Sequence, residues 1–335
     1  MSGAAPVRGA DVGVVRLSSQ AEGWADAVGA SLGGRTLDGV RLVIDCANGA
    51  ASSLAPGVFT RLGAEVTAIG VHPDGININA GFGSTHPGPL ASAVLAAGAS
   101  LGLAFDGDAD RLIAVDHLGR IIDGDHILAI LALDWKTQGR LAADTVVVTV
   151  MSNLGFRLAM ADAGIRVVET NVGDRYVLEA LNAGGFSLGG EQSGHVICRE
   201  LATTGDGVLA GVQLIDAVMR SGRTLAECSD AAMTTLPQVL KNVRLAERDP
   251  RIADRLAPAV AEIEAEMAGE GRVLVRPSGT EPLVRIMVEH PSLATAEAMC
   301  DRLVSTTIRL LGPIGGSRRT SPNPSESVPL VPIMK

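Results

Sequence analysis

Lysine is almost missing from this chain: among 28 basic residues only Lys136, Lys241 and Lys335 are not arginine. An arginine standing in a loop is therefore a candidate for bidentate binding of a phosphate or carboxylate. Aromatic side chains make up 2% of the 335 residues, so the cores must be built from aliphatic groups. A net charge of −9 argues against nucleic acid or an anionic membrane as the main partner. Cys46, Cys198, Cys228 and Cys300 lie far apart without a C-x-x-C pair. That excludes a zinc ribbon or a disulfide frame and points to buried thiols in a reducing compartment. The stretch MSGAAPVRGADVGVV lacks the apolar centre of a signal peptide, and no run reaches membrane-spanning length without charge or glycine. A cytoplasmic location is expected.

What is present reads as alternating strands and helices. VRLVID (40–45) is an apolar strand, CANGA a glycine turn, ASSLAPGVFTRLG a helix closed by Gly63, and AEVTAIG a second strand. The pattern returns as TVVVTV, MSNLG, FRLAMADAG and IRVVETN over 145–171. One α/β unit used twice explains this, as does the chance echo any α/β protein shows; largely parallel sheets are expected. Residues 207–219 carry helical apolar spacing behind Asp206. From about 239 the order becomes β-α-β-β-α: strand VLKNVRL, a charged helix over 252–267, strands RVLVR and LVRIMVE, and an amphipathic helix over 293–311. In that last helix Leu293, Met299, Leu303, Val304, Ile308 and Leu311 are expected to face inward.

Four loops can carry chemistry. LGLAFDGDADRLIAVD (101–116) places Asp106, Asp108 and Asp110 within five positions behind an apolar strand. Such charges repel unless a cation joins them, and Mg²⁺ takes oxygen ligands of this kind. Gly107 is expected to permit the turn that swings them together. An EF-hand would need glycine and glutamate where Arg111 and His117 stand. A phosphatase of the haloacid dehalogenase type usually has Thr or Val in place of Asp110 and needs a later paired aspartate motif. A solvated acidic turn fits poorly between two apolar strands. In VGDRYV (172–177), Asp174 and Arg175 open a helix, either as an anion-holding terminus or as a plain N-cap with a surface arginine. LGGEQSGHVI (188–197) would aim Glu191, Ser193 and His195 one way if extended, suiting a hydroxyl-rich sugar; a hairpin with incidental polar groups is the alternative. RPSGTEPLVR (276–285) sets hydroxyls and amides between Arg276 and Arg285, as in a phosphate cradle, although a tight turn would read similarly.

In this order, FDGDADR, VGDRYV, GGEQSGH and RPSGTEPLVRIMVE resemble the α-D-phosphohexomutase family, most closely its phosphoglucosamine mutase branch. VIDCANGAAS, PDGININ, GSTHPGPL, TVMSNLG and TTGDGVLAG support the likeness, which runs from about residue 18 to 311. The resemblance implies two mixed α/β three-layer domains, the family's second and third, followed by the β-α-β-β-α domain. Its boundaries would be a linker helix left from a first domain over 1–36, a metal-binding domain over 37–138, a sugar-binding domain over 139–238, a phosphate-binding domain over 239–312, and a disordered tail over 313–335. It implies that Asp106, Asp108 and Asp110 hold Mg²⁺, with Arg111 beside them as a catalytic residue. Gly173, Asp174 and Arg175, with Glu191, Ser193 and His195, would bind the sugar. Arg276, Ser278, Gly279, Thr280 and Arg285 would hold the non-reacting phosphate of a hexose or hexosamine phosphate.

The family's nucleophile is a phosphorylated serine in an S-x-H-N-P-like loop of its first domain, and about forty residues here are too few for that fold. GSTHP (83–87) is rejected as a substitute, because that segment accompanies the true serine loop in this branch. The expected activity is Mg²⁺-dependent interconversion of glucosamine 6-phosphate and glucosamine 1-phosphate, impaired in this chain. The alternatives are a phosphatase-like enzyme using Mg²⁺-activated water, and a non-catalytic sugar-phosphate binder. An apolar face left by the absent domain would be covered by a second copy or another partner.

Overall fold

The computed structural model describes residues 20–278 and 281–311; Gly279, Thr280 and the expected tail over 313–335 lie outside them, as do residues 1–19 of the expected linker. The chain divides at Thr235 and Leu236 into two compact units.

The first unit contains two sheets of related topology. β1 (Arg41–Asp45), β2 (Glu65–Ile69), β3 (Leu101–Phe105), β4 (Leu112–Asp116) and β5 (Ile121–Ile122) take the order β2-β1-β3-β4-β5. β6 (Thr145–Thr149), β7 (Arg166–Thr170), β8 (Leu188–Gly190) and β9 (Val196–Cys198) take the order β7-β6-β8-β9. In each, three neighbouring strands are parallel and the following strand turns back as an antiparallel hairpin. The sheets are therefore mixed, and the recurring sequence pattern is a repeated fold. The hairpin weighed for 188–197 and the two apolar strands flanking the aspartate loop are both present; only their antiparallel direction departs from the largely parallel sheets expected, because a strand buried on both faces shows no period that marks its direction.

Both faces of each sheet are covered. Leu103, Phe105 and Leu112 of the first sheet and Val146, Val148 and Leu188 of the second belong to one shared core. Val43, Ala104 and Val115 pack on the opposite face under Leu90 and Val94 of α3 (Gly88–Ala97). Val147 and Ile197 do the same under Val177 and Leu181 of α6 (Asp174–Gly184). This gives two three-layer α/β/α bodies.

Two helices lie between them. α4 (Gly124–Thr137) touches β4 and β8, and α7 (Gly207–Ser221) touches β3, β4 and β9. α7 fits so closely that a Cβ on Gly211 would stand 2.7 Å from Leu103 Cδ1. α1 (Gln20–Ala30) adds Val28 to the shared core, and its Trp24 indole donates to Asp206 at 2.7 Å. α2 (Ala55–Arg61) and α5 (Leu154–Asp162) each precede a turn with glycine at positive φ, Gly63 and Gly164. α8 (Leu225–Ala232) closes the unit with a capping box of Thr224 and Glu227.

The second unit has β10 (Gln238–Arg244), α9 (Ile252–Glu266), β11 (Arg272–Pro277), β12 (Leu283–Glu289) and α10 (Leu293–Leu311). Its antiparallel sheet runs β10-β12-β11. β12 departs from simple alternation: Ile286 to Glu289 are all buried. The fully enclosed Glu289 is held by Arg272, whose Nη2 lies 2.6 Å away. α10 keeps part of the expected face, with Leu303 enclosed and Met299 and Val304 packed half-buried against the core. Ala296, Cys300, Leu303 and Thr307 are buried, whereas Leu293 and Ile308 are exposed at 42% and 54%. Small residues at helical spacing let α10 approach its sheet closely, so the largest apolar groups alone do not mark the contact face. Among the described residues, no helix is long and apolar enough to cross a membrane.

Candidate functional site

The aspartate loop joins β3 to β4. A carboxylate oxygen from each of Asp106, Asp108 and Asp110 lies within 4.8 Å of the others. The turn is made by Ala109 at φ 61, whose N–H donates to Asp106 O at 3.1 Å. Gly107 serves a purpose other than the expected turn: a Cβ there would meet Ile78 Cδ1 at 2.6 Å and Asn79 Nδ2 at 2.9 Å. It is glycine because a neighbouring loop presses on it.

Asp106 is 7% exposed, and its Oδ1 accepts the Arg111 N–H at 3.1 Å. Burial first, then the charge of Asp110, pushes its carboxyl up to about 6. The Arg111 guanidinium stands farther off, with Nε 3.7 Å from Asp106 and 3.9 Å from Asp110, and this buried Nε has no hydrogen-bond partner. One distant guanidinium leaves three clustered carboxylates undercompensated. A hard divalent cation fits that donor set.

The sugar-reading segment occupies the matching position in the second sheet, between β8 and β9. It is a tight hairpin, with Glu191 N–H donating to His195 O at 3.0 Å and Gly194 N–H to Glu191 O at 2.9 Å. The expected row of three side chains pointing one way is thereby corrected. Glu191 Oε1 accepts the Gly173 N–H at 2.9 Å, and its Oε2 lies 3.3 Å from Ser193 Oγ. His195 turns the other way: it is 4% exposed and its Nδ1 lies 3.1 Å from Asp110 Oδ2. Enclosed there, the imidazole orients a metal-site carboxylate and presents no open face to a sugar.

The two hairpin loops are joined. Arg111 and His195 form an antiparallel bridge, and Leu112 N–H donates to Gly194 O at 2.9 Å. Beside them Gly173, at φ 131, caps α6, so Asp174 is its first helical residue and not its N-cap. Arg175 is exposed and pairs with Glu179 at 2.7 Å. Aspartate trio, Glu191, Ser193 and the start of α6 thus form one continuous polar surface.

In the second unit, β11 and β12 put Arg276 directly opposite Arg285. Paired strands place such residues on one face, where two cations repel unless an anion lies between them. Ser278 is 8% exposed; its N–H donates to Leu283 O at 2.9 Å and its Oγ accepts from Glu281 N at 3.2 Å.

Several residues support the site in ways the sequence did not assign to them. Asp206 caps α7 through the Leu209 N–H at 2.9 Å, and Gly207 N–H donates to Ala109 O at 2.9 Å. A Cβ on Gly205 would stand 2.4 Å from the His195 ring, and one on Gly207 2.5 Å from Arg111 O. TTGDGVLAG is therefore the bed on which the joined loops rest; its paired glycines were the available signal. Gln192 O accepts from Gly124 N at 3.0 Å, which seats the sugar hairpin on the start of α4. In GSTHP, Ser84 N–H donates to Phe105 O at 2.9 Å, but its hydroxyl is enclosed without a partner, a poor setting for a nucleophile. Ile76 and Ile78, on the loop against Gly107, are exposed at 89% and 52%.

Family models match most of the chain. Residues 23–119 fit phosphoglucomutase/phosphomannomutase alpha/beta/alpha domain II, residues 123–236 domain III, and residues 240–306 the C-terminal domain. The phosphoglucosamine mutase of Leifsonia xyli subsp. xyli is 56% identical over 297 residues, covering 88% of this chain and 65% of that protein. The phosphoglucosamine mutase of Paenarthrobacter aurescens is 53% identical over 308 residues, covering 91% and 67%. The chain thus spans about two thirds of the length of these relatives. Aspergillus fumigatus N-acetylphosphoglucosamine mutase, solved in complex with GlcNAc-6P and magnesium, shares the fold with a TM-score of 0.69 at 23% identity over 85% of this chain and 70% of that one. A phosphoglucomutase/phosphomannomutase family protein from Burkholderia thailandensis gives 0.68 at 22% identity, over 86% and 64%. The chain belongs to the phosphoglucomutase/phosphomannomutase family.

Proposed function

We propose that this chain carries the metal-binding and sugar-binding parts of a phosphoglucosamine mutase, acting on glucosamine 6-phosphate and glucosamine 1-phosphate. The observation that carries the reading is the bridge from Arg111 to His195, which ties the aspartate trio to the Glu191 hairpin. Relatives more than half identical over most of this chain are phosphoglucosamine mutases, which supports the amino sugar as substrate.

Asp106, Asp108 and Asp110 would hold Mg²⁺, which when bound offsets negative charge on a travelling phosphoryl group. Arg111, its Nε buried and without a hydrogen-bond partner, is placed to add a donor beside them. His195 keeps Asp110 oriented. Glu191 and Ser193 offer an acceptor and a hydroxyl to ring substituents, with Gly173 to Arg175 as neighbours. Arg276, Ser278 and Arg285, with Gly279 and Thr280 of the same loop, are assigned to a phosphate monoester. The phosphoryl donor is assigned to no residue here.

Calorimetry tests the reading: glucosamine 6-phosphate should bind, and bind more tightly with Mg²⁺ present. Glu191→Ala should weaken that binding at least tenfold while leaving the melting temperature within a few degrees. Unchanged affinity would remove Glu191 from the sugar site. Release of inorganic phosphate from the bound sugar would replace the mutase reading with a hydrolytic one.

A further inference from the structure

A cavity of about 500 Å³ opens at the end of the first sheet where β1 and β3 begin. The aspartate loop follows the opposite end of β3, and the two strands are parallel. The cavity is therefore separate from the site described above. Its apolar lining comes from Leu101 of β3 and Val218 and Met219 of α7, of which Met219 is the exposed one, while Arg41, His117 and Arg223 line it with positive or protonatable groups. No carboxylate is among its lining residues.

The two arginines are unusual in this molecule. Other described arginines of the first unit meet an acidic, amide, hydroxyl or aromatic partner, as Arg35 does with Asp216, Arg199 with Asn182 and Arg140 with Trp135. Arg41 and Arg223 are the two with no close ion pair, side-chain hydrogen bond or ring contact among the described residues, although Arg41 stands in register with Glu65 and the Glu227 carboxylate feels the charge of Arg223 and His117. Glu227 lies nearby, but its carboxylate turns back to the Thr224 N–H and hydroxyl at 2.8 and 2.9 Å. In a chain of net charge −9, two guanidinium groups without a close ion pair, on a cavity lined by no carboxylate, leave a local excess of positive charge. Planar guanidinium forks match an oxyanion, and the apolar walls match a hydrocarbon body.

We propose that this cavity is a second ligand site, taking a small organic oxyanion whose phosphate or carboxylate meets Arg41 and Arg223 and whose apolar body lies against the exposed Met219 and the edges of Val218 and Leu101. α7 connects it to the aspartate loop, since Gly207 at its other end donates to Ala109 O. The helical rise from Gly207 to Met219 puts the two places about 18 Å apart.

Calorimetry with n-hexyl phosphate, hexanoate and inorganic phosphate tests this on the full chain. At least one hexyl probe should bind ten or more times more tightly than inorganic phosphate, and the preferred hexyl probe identifies the head group. The double variant Arg41→Ala, Arg223→Ala should weaken it at least tenfold with little change in melting temperature, since both side chains are exposed and make no close ion pair. Arg285→Ala and Asp108→Asn should leave it unchanged, which separates this cavity from the sugar-phosphate residues. Equal binding to the double variant, loss only in Arg285→Ala, or no preference for the hexyl probes over phosphate would overturn the proposal.

Discussion

Gly49→Ala isolates the geometry of the aspartate loop from its chemistry. Gly49 has φ −106 and ψ −159, extended backbone that alanine adopts freely, so the substitution adds no torsional strain. The new methyl group, however, would stand 2.3 Å from Gly107 O and 2.7 Å from its Cα. Ordinary contact begins at 3.4 Å, so the loop must retreat by roughly 1 Å. That retreat pulls on the 2.8 Å hydrogen bond from Ala50 N–H to Gly107 O and moves the backbone between Asp106 and Asp108. Overpacking of this kind costs about 1–3 kcal/mol. Displacing the frame behind metal ligands weakens affinity on the order of 10–100-fold. Titration of Mg²⁺ by calorimetry, with a melting curve alongside, reads both effects. Gly57→Ala is the matched control: no atom lies within 4 Å of its added Cβ, and in α2 it should stabilise by about 0.5–1 kcal/mol. A Gly49→Ala chain with unchanged Mg²⁺ affinity and melting temperature would refute the claim that this contact holds the carboxylates in register.

Asp125 is wholly enclosed, and burial, then the charge of Asp123, raises its carboxyl to about 7. Its folded value exceeds the unfolded one, so its contribution to stability is complete below about pH 4 and fades as pH rises through about 7. Asp125→Asn should therefore gain relative to the parent from about pH 4 to pH 7 and level off above that in parallel melting curves, and a constant difference would contradict the sign. Arg272→Ala leaves Glu289 buried without its guanidinium and should cost about 3–5 kcal/mol in urea unfolding; a loss under about 1 kcal/mol would mean that the carboxyl simply takes up a proton. Arg285→Ala removes an exposed side chain in register with Arg276, so stability should stay within about 0.5 kcal/mol. Phosphate binding, followed by calorimetry, should weaken at the same time, and equal affinity would take Arg285 out of the anion loop.

The central strands of both sheets were readable because they are apolar runs bounded by glycine turns, and the β-α-β-β-α order after residue 239 was readable from its changing period. The aspartate trio was legible for the same reason: acidic residues seldom follow a buried strand unless something gathers them. Other features depend on contacts between distant segments. The role of Gly107 is set by Ile78 and Asn79, and that of Gly205 by the His195 ring. Nothing local distinguishes either from a flexible turn. His195 was placed with the sugar residues by the resemblance and by an extended reading of its segment; of the two readings the hairpin holds, and its turn at Gln192 to Gly194 sends the imidazole to Asp110. Of the face expected for α10, Leu303, Met299 and Val304 do meet the core, but Leu293 and Ile308 do not, because size was taken as the guide while Ala296 and Cys300 fit closely by being small.

The boundary between the residues matched to domain II and those matched to domain III is blurred by α7. It falls within residues matched to domain III while its side chains roof β3 and β4, which fall within domain II. Expressed alone, the leading module would keep its ion-gathering loop and lose the lid over Leu103, Phe105 and Leu112. Anyone wishing to graft that loop elsewhere must carry the borrowed helix with it.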